Sequence, residues 1–283
     1  MMPNWAMFFW TLLKILIISY FLLCIFIYSY QERLIYFPNR SKGDDPSSLG
    51  LKFEQIFLKT SDGVRISAWL VPCDQPRAAL IFCHGNAANL HSCLPNISLF
   101  HKLGLTVLAF DYRGYGLSEG SISESGTGFD AEAAWDFLGS ERGFKPDQII
   151  IAGQSLGGAV AARLAALRNP GMLILESTFT SIQEMARQQY PFLPVKMLCR
   201  VSYNTIESLE KIHCPVLIIH SPMDEMIPFT MGQALFAKAS GPKAFLPISG
   251  DHNSGFQISG DIYTQGLSNF MDKFLNGACS ESR

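Results

Sequence analysis

One stretch of the sequence decides the fold: Ile149-Ile150-Ile151-Ala152-Gly153-Gln154-Ser155-Leu156-Gly157-Gly158-Ala159. Its apolar first half predicts a strand buried on both faces, and the small residues at its end open a predicted helix. A serine between a strand and a helix takes a strained backbone conformation, which the flanking glycines permit. The Gly-x-Ser-x-Gly pattern in this setting therefore predicts a nucleophile at Ser155, whereas alone it would also fit a tight turn.

Other continuous apolar runs lie on both sides of this stretch, and helical stretches separate them. A hairpin of two alternating runs precedes them. This alternation predicts an α/β fold with a mostly parallel sheet covered by helices on both faces, formed by one domain over residues 31–283. The predicted strands are the hairpin runs 56–59 and 64–71, followed by residues 78–82, 106–110, 148–152, 172–175, 215–219 and 244–248.

A nucleophilic serine needs a histidine as its base. In a strand–turn–helix site of this kind the histidine comes last along the chain, after the acid. His252 satisfies that order, since it follows the last predicted strand within Gly250-Asp251-His252. We expect packing or capping roles for His213 and His220, which lie beside the 215–219 strand.

The histidine in turn needs a carboxylate to orient it. Asp224 follows the 215–219 strand and has the expected place in the chain order, so we predict that it is the acid. Glu176 follows an earlier strand and is the serious rival. Glu225 is expected to face solvent, and Asp251 adjoins the histidine too closely to reach its ring.

Two backbone amides are expected to form an oxyanion hole. One is the amide of Leu156, the residue after the nucleophile. The other is the amide of Asn86 in His84-Gly85-Asn86-Ala87, directly after the 78–82 strand. We interpret His84 as a structural turn residue and not as a second base.

Taken together, these motifs resemble the α/β-hydrolase superfamily, and they do so over essentially the whole chain. The resemblance is closest to a membrane-anchored branch of α/β-hydrolase-domain proteins, in which one helix precedes Q-x-x-L-I-Y-x-P. It implies an α/β-hydrolase fold and a serine hydrolase, without fixing a substrate. Ser221 departs from the pattern, because relatives often carry glycine there. The matching residues are His84-Gly85-Asn86-Ala87, Asp111-Tyr112-Arg113-Gly114-Tyr115-Gly116, Gly153-Gln154-Ser155-Leu156-Gly157, Asp224, Gly250-Asp251-His252, Gln31-Glu32-Arg33-Leu34-Ile35-Tyr36-Phe37-Pro38 and Tyr190-Pro191-Phe192-Leu193-Pro194-Val195.

The first thirty residues predict a transmembrane anchor. Lys14 is the only charged residue between Trp5 and Tyr30, and aromatic residues mark both ends of this stretch. A cleaved signal peptide is the alternative, but neither a basic segment before the stretch nor a typical cleavage site after it is present. The basic residues after the span favour a cytoplasmic C-terminal domain and a single-pass membrane protein. They are Arg33, Arg40 and Lys42.

Composition narrows the set of partners. A formal net charge of −2 and scattered basic residues argue against nucleic acid as a partner. The seven cysteines include no C-x-x-C pair, so we expect no metal, no cofactor and mostly buried thiols. An apolar stretch at about residues 178–212 is interpreted as a small lid over an acyl pocket, although it would also fit simple packing on the sheet.

The sequence thus predicts a membrane-anchored serine hydrolase acting on a small-molecule or lipid-like acyl ester or thioester. The expected mechanism is a Ser155–His252–Asp224 triad with an acyl-enzyme intermediate. A peptidase or amidase would use the same residues, and a non-catalytic, membrane-tethered binding module is the alternative from another class. The oligomeric state and the acyl and leaving groups remain open.

Overall fold

The computed structural model describes residues 4–275 and is built around an eight-stranded sheet. The strand order is β1-β2-β4-β3-β5-β6-β7-β8. The pairs β1–β2 and β2–β4 are antiparallel, and every other pair in this sheet is parallel. The strands are β1 (Glu54–Lys59), β2 (Arg65–Val71), β3 (Ala78–Cys83), β4 (Leu105–Phe110), β5 (Ile149–Gln154), β6 (Met172–Glu176), β7 (Val216–His220) and β8 (Lys243–Pro247).

Helices cover both faces of the sheet, so the predicted fold class is confirmed. Helices α3, α4, α7 and α8 pack on one face, and α2 and α9 pack on the other. Strand β5 lies between β3 and β6 and is buried along nearly all its length, as its unbroken apolar run predicts. The helices are α1 (Asn4–Ile35), α2 (Leu94–Lys102), α3 (Glu124–Asp136), α4 (Leu156–Arg168), α5 (Ile182–Gln189), α6 (Val195–Leu198), α7 (Thr205–Leu209), α8 (Phe229–Lys238) and α9 (Gly255–Leu275).

Helix α1 is the predicted apolar helix, and it is 32 residues long. At about 1.5 Å per residue this corresponds to roughly 48 Å, more than the hydrocarbon core of a bilayer requires. The helix continues past the predicted boundary at residue 30 because the first helix-breaking residue is Pro38, which restricts Phe37 before it. Its length and composition are those of a single membrane span.

The stretch interpreted as a lid divides into two parts. Residues 205–212 belong to the core, since α7 packs on α4 and the side chains of Leu209 and Ile212 are buried there. In this part the apolar residues pack in the helix layer, which is the packing alternative given for the stretch, and the lid stays a prediction for the remainder. Residues 182–200, which contain α5 and α6, lie against α1 and are called the lid segment below.

Six of the seven cysteines lie within the described residues and are free thiols, and three of them are buried, Cys83, Cys93 and Cys214. The seventh, Cys279, lies outside the described residues.

Candidate active site

Ser155 occupies the sharp turn between β5 and α4. Its φ of 54° lies in the left-handed region that most residues avoid, and its ψ is −121°. The chain can close this turn because Gly157 packs on the end of β3, where an added Cβ would lie 2.0 Å from the carbonyl oxygen of Cys83. At Gly153, an added Cβ would lie 2.2 Å from the carbonyl oxygen of Gly157. Both glycines are therefore required by backbone packing under the serine.

The structure brings Ser155, His252 and Asp224 together from three separate loops. His252 Nε2 lies 3.0 Å from Ser155 Oγ, and His252 Nδ1 lies 2.8 Å from Oδ2 of Asp224. An ionised carboxylate only accepts hydrogen bonds, so Nδ1 carries the ring proton. In the neutral ring Nε2 is then an acceptor and faces the serine hydroxyl. This arrangement can remove the proton from Ser155.

Asp224 is held in its ionised form. Its Oδ1 accepts hydrogen bonds from the amides of Met226 at 3.0 Å and Ile227 at 2.8 Å. Burial raises the pKa of this carboxyl, but hydrogen bonds from His220, His252 and the Ile227 amide outweigh burial and hold the pKa well below its usual range. The carboxylate therefore stays charged at neutral pH.

The rival carboxylates have other partners. Glu176 is buried and accepts a hydrogen bond from the hydroxyl of Tyr263 at 2.6 Å. Burial raises the pKa of this carboxyl. Glu225 is exposed and accepts from the backbone amide of His252 at 3.1 Å, while Asp251 accepts from the amide of Ser254 at 2.8 Å. None of the three makes a hydrogen bond to the ring of His252.

The loop after β3 is fixed beside the serine by the side chain of Asn86. An added Cβ on Gly85 would lie 3.5 Å from the Cβ of Ser155, so this loop passes close to the nucleophile. The Oδ1 of Asn86 accepts from the hydroxyl of Tyr115 at 2.7 Å and from the amide of Phe37 at 3.1 Å, and its Nδ2 donates to the carbonyl of Ile35 at 2.6 Å.

The second predicted donor, the amide of Leu156, belongs to the first residue of α4. An amide at that position has no partner within its own helix, and the partial positive charge of the helix N-terminus lies behind it. It is placed to stabilise negative charge beside Ser155.

The Asp111–Gly116 motif supports the loop after β3, which carries Asn86. Tyr112 donates to the carbonyl of His84 at 2.9 Å. Arg113 donates to the buried Asp130 at 2.9 Å and to Asp62 at 2.7 Å, which fixes the turn that carries Tyr115. The motif thus contributes buried hydrogen bonds under the site.

His84 lies in the interior, as expected for a structural residue. Its Nδ1 lies 2.8 Å from the carbonyl oxygen of Gly85, and burial lowers its pKa to about 4. The imidazole is therefore neutral at pH 7. Burial also raises the pKa of the neighbouring Asp111 to about 7.

Two spaces lie near the site. A polar pocket of about 290 Å³ is bordered by Asn86, by Gln154 next to the serine and by Asn253 next to the histidine. A groove of about 440 Å³ lies between α1 and the lid segment and does not include Ser155 in its lining. Among residues 4–275, no cluster of His, Cys, Asp or Glu side chains is placed to hold a metal ion.

Comparison with known proteins identifies the family. Residues 78–198 match the family described as alpha/beta hydrolase fold. The chain is 34% identical over 276 residues to the alpha/beta hydrolase domain-containing protein WAV2 of Arabidopsis thaliana, covering 87% of this chain and 89% of that protein. The chain belongs to the alpha/beta hydrolase family.

Two further relatives extend this comparison. An uncharacterized protein of Mycobacterium tuberculosis is 36% identical over 249 residues, covering 87% of this chain and 89% of that protein. An esterase of Pyrococcus furiosus has a similar solved structure, with a TM-score of 0.72, 18% identity, and coverage of 85% of this chain and 98% of that chain. At that identity the esterase shows the shared fold. Family membership supports a hydrolase.

Sequence reasoning named His220 and Ser221 but did not place either of them at the border of the site. His220 Nε2 lies 3.5 Å from Oδ2 of Asp224 and 3.0 Å from the carbonyl oxygen of Ile227, so it does more than cap its strand. Ser221, which departs from the expected glycine, donates to the carbonyl of Gly250 at 2.5 Å. It therefore ties the loop of the acid to the loop of the histidine. The position of each residue at the end of β7 was the available signal, because site residues gather at the carboxyl ends of parallel strands.

Proposed function

We propose that the chain is a membrane-anchored serine hydrolase that cleaves an acyl ester or thioester by a two-step acyl transfer. The observation that carries this proposal is the hydrogen-bonded series Asp224–His252–Ser155, with separations of 2.8 Å and 3.0 Å, at a strained turn in front of a helix N-terminus.

In the first step, the Ser155 hydroxyl attacks the acyl carbonyl and its proton passes to Nε2 of His252. The amides of Asn86 and Leu156 stabilise the oxyanion, each contributing on the order of 3 kcal/mol by analogy with measured oxyanion holes. The bond to the leaving group breaks, and His252 returns the proton to the departing oxygen or sulfur.

In the second step, water attacks the acyl-enzyme with His252 as the base, releasing the acid and restoring the serine. Asp224 holds the imidazole in the correct tautomer and stabilises its cation. These steps require no metal and no cofactor.

Active-site labelling tests the proposal. A fluorophosphonate probe should label the folded protein at Ser155, and Ser155→Ala should abolish labelling. Ser140→Ala, at an exposed serine outside the triad, is the matched control and should label fully. Labelling that persists in Ser155→Ala, or no labelling of the folded wild type, contradicts the proposal and favours a non-catalytic binding module.

A substrate panel then separates the hydrolase classes. Rates on acyl esters, acyl thioesters and aminoacyl amides with one common acyl group should rank the ester or thioester first. Faster cleavage of the amide would assign the site to a peptidase or amidase.

The anchor and its orientation belong to the same proposal. Helix α1 has the length and composition of a membrane span, and Arg33, Arg40 and Lys42 after it favour a cytoplasmic catalytic domain. In sealed membranes, external protease should leave the domain intact until detergent is added. Digestion without detergent would reverse the orientation.

A further inference from the structure

The groove between α1 and the lid segment has one wall on the membrane helix. Its volume of about 440 Å³ lies in the range of ligand-binding pockets. From α1 it is lined by one stripe at helical spacing, Leu23, Ile27, Gln31, Leu34 and Ile35. The other wall is formed by lid-segment residues, and the lining is almost entirely apolar.

Gln31 is the polar side chain that α1 contributes to the groove lining, and its amide group already has hydrogen-bond partners in the lid segment. The Nε2 of Gln31 donates to the carbonyl of Leu198 at 3.1 Å, and its Oε1 accepts from the amide of Arg200 at 2.7 Å. These bonds hold the lid segment against α1, so the groove is a fixed feature of this face.

The outer end of the groove reaches the bilayer. The apolar stretch continues to Tyr28 and Tyr30, whose rings mark its far interface, so Leu23 and Ile27 at the outer end of the groove lie within the span. Tyr20, within that span, donates to the carbonyl of Phe192 at 2.7 Å. Phe192 is 63% exposed, and Met197 nearby is 82% exposed. The lid segment therefore presents apolar side chains at the level of the membrane.

The inner end of the groove lies next to the loop that carries Asn86. Ile35 lines the groove, and its carbonyl accepts the hydrogen bond from the Asn86 side chain. Asn86 follows Gly85, which lies against Ser155. The groove therefore ends at a residue that is bonded to the loop passing beside the serine.

Asn86 also borders the polar pocket of about 290 Å³. That pocket is lined by five amide side chains, one hydroxyl and four apolar residues, and by no charged group, so it suits an uncharged alcohol better than a phosphate. The polar lining residues are Asn86, Ser92, Asn96, Gln154, Asn253 and Gln257. Nδ2 of the buried Asn96 has no hydrogen-bond partner in the described part of the chain.

We propose that the substrate is a neutral single-chain lipid ester. Its acyl chain passes from the bilayer along the groove between α1 and the lid segment. Its uncharged polyol occupies the pocket bordered by Asn86 and Gln154, next to Ser155. This inference rests on the proposed function and assigns its substrate class. Hydrolysis releases the free fatty acid and the polyol, with water as the only co-reactant.

The test uses the full chain in phosphatidylcholine vesicles with three long-chain probes: oleoylglycerol, oleoyl lysophosphatidylcholine and an S-oleoyl peptide. The water-soluble 4-nitrophenyl acetate is the fourth substrate and needs no groove. For wild type, kcat/KM should be about tenfold or more higher on oleoylglycerol than on the charged lipid, because the pocket offers no charged partner for the phosphocholine group. Preference for the charged lipid or the peptide overturns the assignment.

Groove-filling variants test the path on both walls. Ala186→Trp on α5 and Ile27→Trp on α1 should each lower kcat/KM for oleoylglycerol by about tenfold or more, since the lost acyl contacts are those of a hydrophobic pocket. The rate on 4-nitrophenyl acetate should remain within about twofold, as for surface substitutions. The matched controls, Gln189→Trp and Ile25→Trp, are exposed on the same two helices outside the groove and should leave both rates unchanged.

The outcomes separate the two proposals. Groove variants that cleave oleoylglycerol at the wild-type rate overturn the groove proposal and leave the hydrolase standing. Folded wild type without turnover of 4-nitrophenyl acetate and without fluorophosphonate labelling overturns the proposed function itself. If one variant also loses turnover of the acetate ester, that loss is a folding effect. The groove proposal is then judged from the variant on the opposite wall.

Discussion

Replacing Asp224 by asparagine should inactivate the enzyme while preserving its fold. The backbone amides of Met226 and Ile227 both donate to Oδ1, so the asparagine oxygen should take that position. Its NH2 group then replaces Oδ2, 2.8 Å from Nδ1 of His252. A donor there forces the imidazole into the tautomer with its proton on Nε2, which can no longer accept the serine proton.

The magnitude follows from two separate estimates. Opposite charges about 4 Å apart interact by about 4 kcal/mol at an effective dielectric constant of 20, which is the stabilisation of the imidazolium that the variant loses. The same substitution in a well-studied triad lowers kcat by about 10⁴, or about 5.4 kcal/mol. We therefore expect kcat of Asp224→Asn to fall by three to four orders of magnitude.

The assay is the initial rate on 4-nitrophenyl butyrate, with circular dichroism and a melting curve to verify folding. Glu225→Gln and Glu176→Gln are the matched controls, because neither carboxylate contacts the ring of His252. Both should retain kcat within about tenfold. Near-normal turnover by Asp224→Asn, together with inactive but folded Glu176→Gln, would refute the assignment of the acid and leave Ser155 and His252 in place.

Three further changes test the framework around the site. Gly157→Ala forces a Cβ to 2.0 Å from the Cys83 carbonyl oxygen, so we expect a loss of about 3 kcal/mol or more in the free energy of unfolding, measured in urea. Asp130→Asn removes the buried negative charge that pairs with Arg113 at 2.9 Å, while Asp62 stays paired with Arg113. It should cost about 1.5 to 3 kcal/mol, seen as a lower melting temperature; an unchanged melting temperature would contradict this. Folding lowers the pKa of Asp224, so its carboxylate stabilises the folded state above the unfolded pKa of about 3.9, and this stabilisation is lost on acidification. The difference in the free energy of unfolding between wild type and Asp224→Asn should therefore narrow below about pH 4.

Much of the fold followed from local sequence pattern. The continuous apolar runs predicted each parallel strand to within one or two residues. The inner strands do not alternate because they are buried on both faces, whereas β8 at the sheet edge is only half-buried. The Gly-x-Ser-x-Gly stretch located the turn at Ser155, since only small residues fit where β5, α4 and the end of β3 meet. Chain order then pointed to His252 and Asp224, which the structure brings within hydrogen-bonding distance of each other.

The features that escaped prediction depend on contacts between distant segments. The packing of residues 205–212 in the core is set by α4, which no local pattern reveals. The approach of His220 to Asp224 depends on how the loop after β7 turns back. The groove requires α1 and the lid segment to meet through Gln31 and Leu198, 167 residues apart in the chain. Hydrophobic periodicity predicts each helix or strand separately, so contacts between elements far apart in the sequence are seen only in the structure.

The bonds from Asn86 to the end of α1 link the proposed membrane anchor mechanically to the proposed oxyanion hole. The carbonyl of Ile35 and the amide of Phe37 hold the side chain whose backbone amide is proposed to face the oxyanion. A change in helix tilt, imposed by bilayer thickness, would pull directly on this loop. A soluble fragment that begins after Pro38 would leave the Asn86 side-chain amide without these partners, so we expect its turnover to fall below that of the full chain in a bilayer.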